Sequence, residues 1–174
     1  MAFVFRWVSV IFGSLFFSYL FIERSIDRFQ KDGVGIQLIN TLPQTLDFYI
    51  IVPSQKENKT EFYSKHIGSI RTDYYRLDHF RIKNSDTYWV AGFMGENLAY
   101  LSSHQIPNKN MDQVIRVDTY SIAGEDSMAE LSRRLVAQNK ANDRHSAVWI
   151  TYALLLLFIN LALLIKTLLK KREA

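Results

Sequence analysis

The side chains best suited to catalysis or metal binding are few and scattered. His66, His79, His104 and His145 fall on different predicted elements. Asp78 and His79, taken with Asp73 and His66, offer the imidazole and carboxylate groups used as zinc ligands or as general acid–base pairs. Their spacing matches no recognised site pattern. A serine nucleophile fares no better, because His66-Ile67-Gly68-Ser69 lacks the flanking glycines of a GxSxG elbow. Gly33-Val34-Gly35 runs into a predicted strand, and neither GxGxxG nor GKS/GKT occurs, so no phosphate loop is expected. With no cysteine in the chain, thiolate zinc sites, disulfides and cysteine nucleophiles are excluded. The expectation is a protein without catalytic residues, metal or cofactor.

Polar chemistry of another kind sits inside the most apolar segment, Ala147 to Ile165. Asn160 lies there about one turn past the middle, where a bare amide in hydrocarbon is unfavourable, so it should face another helix. The other apolar stretch, Trp7 to Ile22, carries Ser9 and Gly13, then Ser14 and Ser18, each pair four residues apart. Such small-xxx-small spacing lets a second helix approach closely. Antiparallel packing that matches Leu156 to Gly13 in depth would set Asn160 near Ser9 and allow an interhelical hydrogen bond. Ser9, Gly13, Ser14, Ser18 and Asn160 are therefore the expected helix-packing residues.

Both apolar segments have the length of a transmembrane helix, since about 20 residues at ~1.5 Å rise cross roughly 30 Å of hydrocarbon. A basic residue precedes the first segment, as in a secretory signal, but SYLFIERS offers no small-x-small cleavage site, so it reads as a retained anchor. Net charge is +4, yet Glu23 to Ser146 holds equal numbers of basic and acidic residues. The excess comes from Arg6, Lys166, Lys170, Lys171 and Arg172, which removes the electrostatic argument for nucleic-acid binding by the central region. Basic ends place both termini in the cytoplasm and the central domain outside it, in a plasma or inner membrane.

Between the spans the hydropathy pattern is mostly that of strands. VGIQLIN (34–40), LDFYIIV (46–52), YYRLDHFRIK (74–83), TYWVAGF (87–93), LAYLSS (98–103) and residues 113–122 are expected strands, with LDFYIIV central and YYRLDHFRIK at an edge. Met94-Gly95-Glu96-Asn97 reads as a hairpin turn, with Gly95 and Asn97 able to take positive φ. PSQKENKT is expected to be a polar turn or an exposed loop, with a glycosylation triplet at Asn58, and Pro107 to Asn110 another turn. Phe62, His66 and Ile70 share a helical spacing, so Glu61 to Ile70 is expected to be a short helix. The first helix should run to about Lys31 and stop at Asp32-Gly33. Ser127 and Glu130 fit a capping box opening a helix with a Met128, Leu131, Leu135 stripe, which has no Gly or Pro to stop it before the last span.

The predicted fold class is α+β: two transmembrane helices flanking one small, largely antiparallel β-rich domain with one or two helices. Its divisions are an N-terminal transmembrane helix with an extension (1–31), a β-rich extracytoplasmic domain (32–124), an amphipathic helix of that domain (125–146), the C-terminal transmembrane helix (147–169) and a basic cytoplasmic tail (170–174). Tyrosines concentrated in predicted strands fit either a core or a contact surface. The function expected from this layout is a non-enzymatic subunit or assembly factor of a larger membrane complex. Its partners would be the lipid bilayer and other membrane subunits or copies of itself. A membrane-tethered enzyme and a lipid or transport component are the alternatives.

Overall fold

The computed structural model describes residues 2–26, 33–56, 59–82, 85–109, 111–123 and 126–172. The class is α+β, with two helices and seven strands in two sheets among these residues. The chain divides into two compact units, one of Met1–Phe29 with Asn142–Ala174, the other Gln30–Ala141.

The second unit is a sandwich. Strands β1 (Gly33–Asn40), β2 (Leu46–Lys56), β3 (Lys59–Ile70), β4 (Tyr74–Arg81), β5 (Thr87–Met94), β6 (Asn97–Gln105) and β7 (Gln113–Val117) form sheets ordered β4-β1-β7 and β3-β2-β5-β6. Pairing is antiparallel except between β1 and β7, which run parallel. Alternation explains the layers. Val34, Ile36 and Leu38 of β1 meet Phe48, Ile50 and Val52 of β2 between the sheets. Tyr49 and Ile51 point the other way, onto a second core with Ala129 and Val136 of helix α2 (Asp126–Arg172). The order of layers is therefore three-stranded sheet, four-stranded sheet, helix.

The central strand and the edge strand of the sequence reading are β2 and β4. Glu61 to Ile70, however, is not a helix but most of β3, paired with β2 from Lys56↔Lys59 to Leu46↔Ile70. Its register slips at Phe48/Tyr49, and Gly68 there has φ 112°, so a bulge interrupts the two-residue alternation that marks a strand. Pro53 to Lys56 extends β2 rather than forming a loop, while Asn58 lies outside the described residues. Gly95 takes φ 64° in the β5–β6 turn, but Asn97 has no positive φ and opens β6. Strand β7 stops at Val117, and Ile122 bridges Leu101 separately.

Helix α1 (Ala2–Ile26) accounts for the first apolar segment. The expected extension is helical as far as Ile26; residues 27–32, where its end is expected, lie outside the described residues, and Gly33 begins β1. Helix α2 runs unbroken for 47 residues and starts at Asp126, so Ser127 lies within the first turn rather than capping it. Its buried positions over the sandwich are Ala129, Ser132 and Val136, one residue on from the expected stripe, with Met128 and Leu135 flanking. Both helices are long and apolar enough to cross a membrane.

Candidate functional site

In the first unit α1 and α2 pack against each other, and the contact is built around a glycine. A Cβ on Gly13 would stand 2.8 Å from Leu157 Cδ1, one residue from the expected depth match with Leu156. Arg6 Nη1 donates to Thr167 Oγ1 at 3.4 Å, so the two helices run antiparallel. The less exposed positions of α2 here, Ala153, Leu157, Asn160, Leu164 and Thr167, recur every three or four residues and form one seam. Asn160 lies on this seam between the Gly13 and Arg6 contacts, level with Ser9. Its amide nonetheless donates to Leu156 O of its own helix, 2.9 Å away. That bond takes one of the two amide hydrogens and leaves the other, with Oδ1, for a neighbouring helix of this chain or of a partner. Ser9 and Gly13 are half-buried, whereas Ser14 and Ser18 are exposed, so the second small-residue pair faces away from this seam.

The sandwich unit separates most of the candidate histidine cluster. His66 pairs with Asp47, a residue that sequence reasoning did not single out: His66 Nε2 and Asp47 Oδ1 are 2.7 Å apart. Tyr49 donates its hydroxyl to Asp47 Oδ2 at 3.0 Å, Ser69 donates to Asp47 Oδ1 at 3.3 Å, and the Tyr49 and His66 rings stack at 4.6 Å. Because Ser69 and His66 both turn to Asp47, the imidazole does not take the serine proton, and this geometry does not activate a nucleophile. Asp78 instead pairs with Lys65 at 2.8 Å and accepts the backbone N–H of His79. No group of three His, Asp or Glu side chains able to hold a metal occurs among the described residues.

These contacts secure the layers. Lys65 also donates to His79 O, and Tyr63 to Arg81 O, so β3 side chains cover part of the outer edge of β4. Asn139 of α2 donates to Ser64 O and Oγ at 2.9 and 3.1 Å. Lys140 reaches Gly95 O at 3.3 Å, with its ammonium 6.0 Å from the ring centres of Tyr49 and Phe93, where the ring faces attract a cation.

Among the described residues two buried side-chain polar atoms remain without a hydrogen bond, the Tyr88 hydroxyl oxygen and His104 Nε2. The residues are cross-strand partners on β5 and β6, with ring centres 5.6 Å apart. Burial, with the nearby Tyr100 adding to it, pushes the Tyr88 phenol up to about 12. Burial moves the His104 imidazole below its ordinary value.

What the domain presents outward is the far face of the three-stranded sheet. The four-stranded sheet is covered by α2, but on the other side Leu77, Gln37 and Val114 form one cross-strand row and Tyr75, Ile39 and Arg116 the next. Tyr75, Leu77 and Val114 are 60%, 64% and 61% exposed. The mixed faces of YYRLDHFRIK hinted at such a surface; the contribution of β7 was hidden, because nothing local identifies the neighbour of a parallel strand. The chain matches no known protein family, no curated protein and no solved structure.

Proposed function

We propose that the chain is a two-pass membrane protein acting as a non-enzymatic subunit or assembly factor of a larger membrane complex, docked through its β-rich domain and its helix pair. The observation that carries this reading is the uncovered sheet face, where Tyr75, Leu77, Ile39 and Val114 form a mostly apolar surface with Gln37 between Leu77 and Val114 and Arg116 at its β7 edge. An exposed, mostly apolar face with a few polar groups is a common form of a protein contact. The partner is another membrane subunit, or a second copy of the chain as one version of the same arrangement.

Membrane insertion is supported by the first unit. Away from the α1–α2 seam, Phe5, Phe12, Phe21, Leu156 and Phe158 are all more than 60% exposed, which suits acyl chains and not water. Trp7 and Trp149 stand near opposite ends of the apolar region, as expected of indoles at a lipid interface. Both termini lie in the cytoplasm and the sandwich outside it.

Gentle detergent extraction followed by native mass measurement tests the reading. A defined complex is expected, and Leu77→Arg with Val114→Arg should release the chain from it while the thermal stability of the sandwich stays unchanged. A monodisperse monomer under the gentlest extraction would sink the proposal.

A further inference from the structure

We propose that the cleft where β3 turns into β4 binds a phosphate group. The cleft has a volume of about 330 Å³ and is bounded by Ser69, Ile70, Arg71, Tyr74, Tyr75 and Arg76. It is created by a tight turn in which Asp73 takes φ 61° and donates its backbone N–H to Asn40 O at 2.7 Å. The turn brings Arg71 and Arg76, five residues apart in sequence, to one opening.

Arg76 is seated there. Its Nη1 lies only 2.0 Å from where a Cβ on Gly68 would stand, so the guanidinium rests against the bulged backbone of β3 in space that any other residue would fill. Gly68 also has φ 112°, a conformation that side-chain-bearing residues avoid. The bulge therefore provides both the turn of the strand and the seat of the arginine.

Neither Arg71 nor Arg76 has an ion-pair or hydrogen-bond partner among the described residues. The carboxylates nearby do not neutralise them. Asp47 is occupied by His66, Tyr49 and Ser69, and Asp73 is not part of the cleft wall. Ser69 gives its proton to Asp47 and has none to offer a ligand. The available donors are thus two guanidinium forks and the phenol of Tyr74, with Tyr75 at the margin of the cleft. One fork satisfies a carboxylate, whereas two forks and a hydroxyl match the three terminal oxygens of a phosphate monoester. The volume leaves room for an organic group, with tyrosine rings to cover it. A soluble phosphomonoester and a lipid headgroup such as that of phosphatidic acid present the same chemistry.

The test uses the full chain in phosphatidylcholine nanodiscs, titrated calorimetrically with glycerol phosphate. In a second arm, protein in mild detergent is offered phosphatidic acid and phosphatidylcholine, and retained lipid is read by native mass spectrometry. Saturable binding of glycerol phosphate, weakened about tenfold or more in Arg71→Gln/Arg76→Gln, supports the site with a soluble ligand. Selective retention of phosphatidic acid, lost in the same variant, supports it with a lipid. Should the double variant unfold early, Arg71→Gln alone, at an exposed turn, carries the comparison. Equal behaviour of parent and variant in both arms overturns the proposal, as does binding of acetate as tight as that of glycerol phosphate. Tyr75 borders both surfaces, but the docking variants at Leu77 and Val114 lie outside the cleft and the cleft variants at Arg71 and Arg76 lie outside the docking face, so each experiment reads its own proposal.

Discussion

Asn40 is fully buried yet fully used. Its amide donates to Gln44 O and Ile70 O, both at 2.8 Å, and its oxygen accepts the Leu42 N–H at 3.1 Å. Asn40→Ala would leave the Ile70 carbonyl buried and unpaired at the end of β3, at a cost of about 2 kcal/mol, to be read by chemical denaturation of the full chain. Tyr88 is the opposite case. With its hydroxyl buried and unbonded, Tyr88→Phe removes a desolvated group without removing a contact, so stability should be unchanged or raised by about 1 kcal/mol; a clear loss would mean that the hydroxyl has a partner. His104, facing the Tyr88 ring, makes stability depend on pH. Its folded-state pKa lies below the ordinary 6.5, so in the window beneath 6.5 the unfolded chain binds more protons and stability falls with acidification. His104→Gln should flatten that slope, measured as midpoint denaturant concentration against pH.

Elements were legible where their pattern was regular. LDFYIIV could be placed as a central strand because apolar residues on consecutive positions suit a strand buried on both sides, and the absence of Gly and Pro allowed α2 to be one helix, although Asn139, Asn142 and Asp143 left a joint open that the structure does not form. The β3 strand was not legible, since the bulge at Gly68 puts Ile67 and Ile70 in the sandwich core while Phe62 and His66 face α2, imitating a helical period. Long-range partners were hidden for a different reason. Asp47 and His66, 19 residues apart, meet only because β2 and β3 pair, and the Arg76 seat exists only because β4 folds back past the bulge. In the helix pair, depth matching came within one residue, and Asn160 spends one amide hydrogen on its own helix, a bond that spacing cannot reveal. Two variants follow from the seam. Gly13→Ala should be tolerated, because the atom it meets is the flexible tip of Leu157, whereas Gly13→Ile should push the helices apart, detected as loss of cross-linking by a short bifunctional maleimide between cysteines at positions 6 and 167. Asn160→Leu should leave that cross-link forming, because one amide hydrogen is bonded within α2; loss of higher assembly in the same variant would show that a partner uses the amide.

On the scale of the whole molecule, the charges say where each end of the chain belongs. The sandwich sequence is electrically balanced, while Arg6 and the basic residues from Lys166 onward gather at one end of the helix pair, where Arg6 meets Thr167. Lys and Arg close to a span resist translocation, and a folded domain of about a hundred residues crosses with little regard to its own charges. The competing set, Arg24, Arg28, Lys31, Lys140 and Arg144, flanks the spans on the domain side. The two groups are of similar size, and the proposed orientation, with cytoplasmic termini, rests on the domain's length. Fusing a reporter at Ala174 should give cytoplasmic activity, and inserting one at Glu57 should give extracytoplasmic activity. Replacing Lys166, Lys170, Lys171 and Arg172 with Gln removes most of the retaining charge and should produce a mixed orientation at both sites. A cytoplasmic reporter at Glu57 in the unmodified chain would reverse the assignment and move the docking face and the arginine cleft to the cytoplasmic side together, since both belong to the one sandwich.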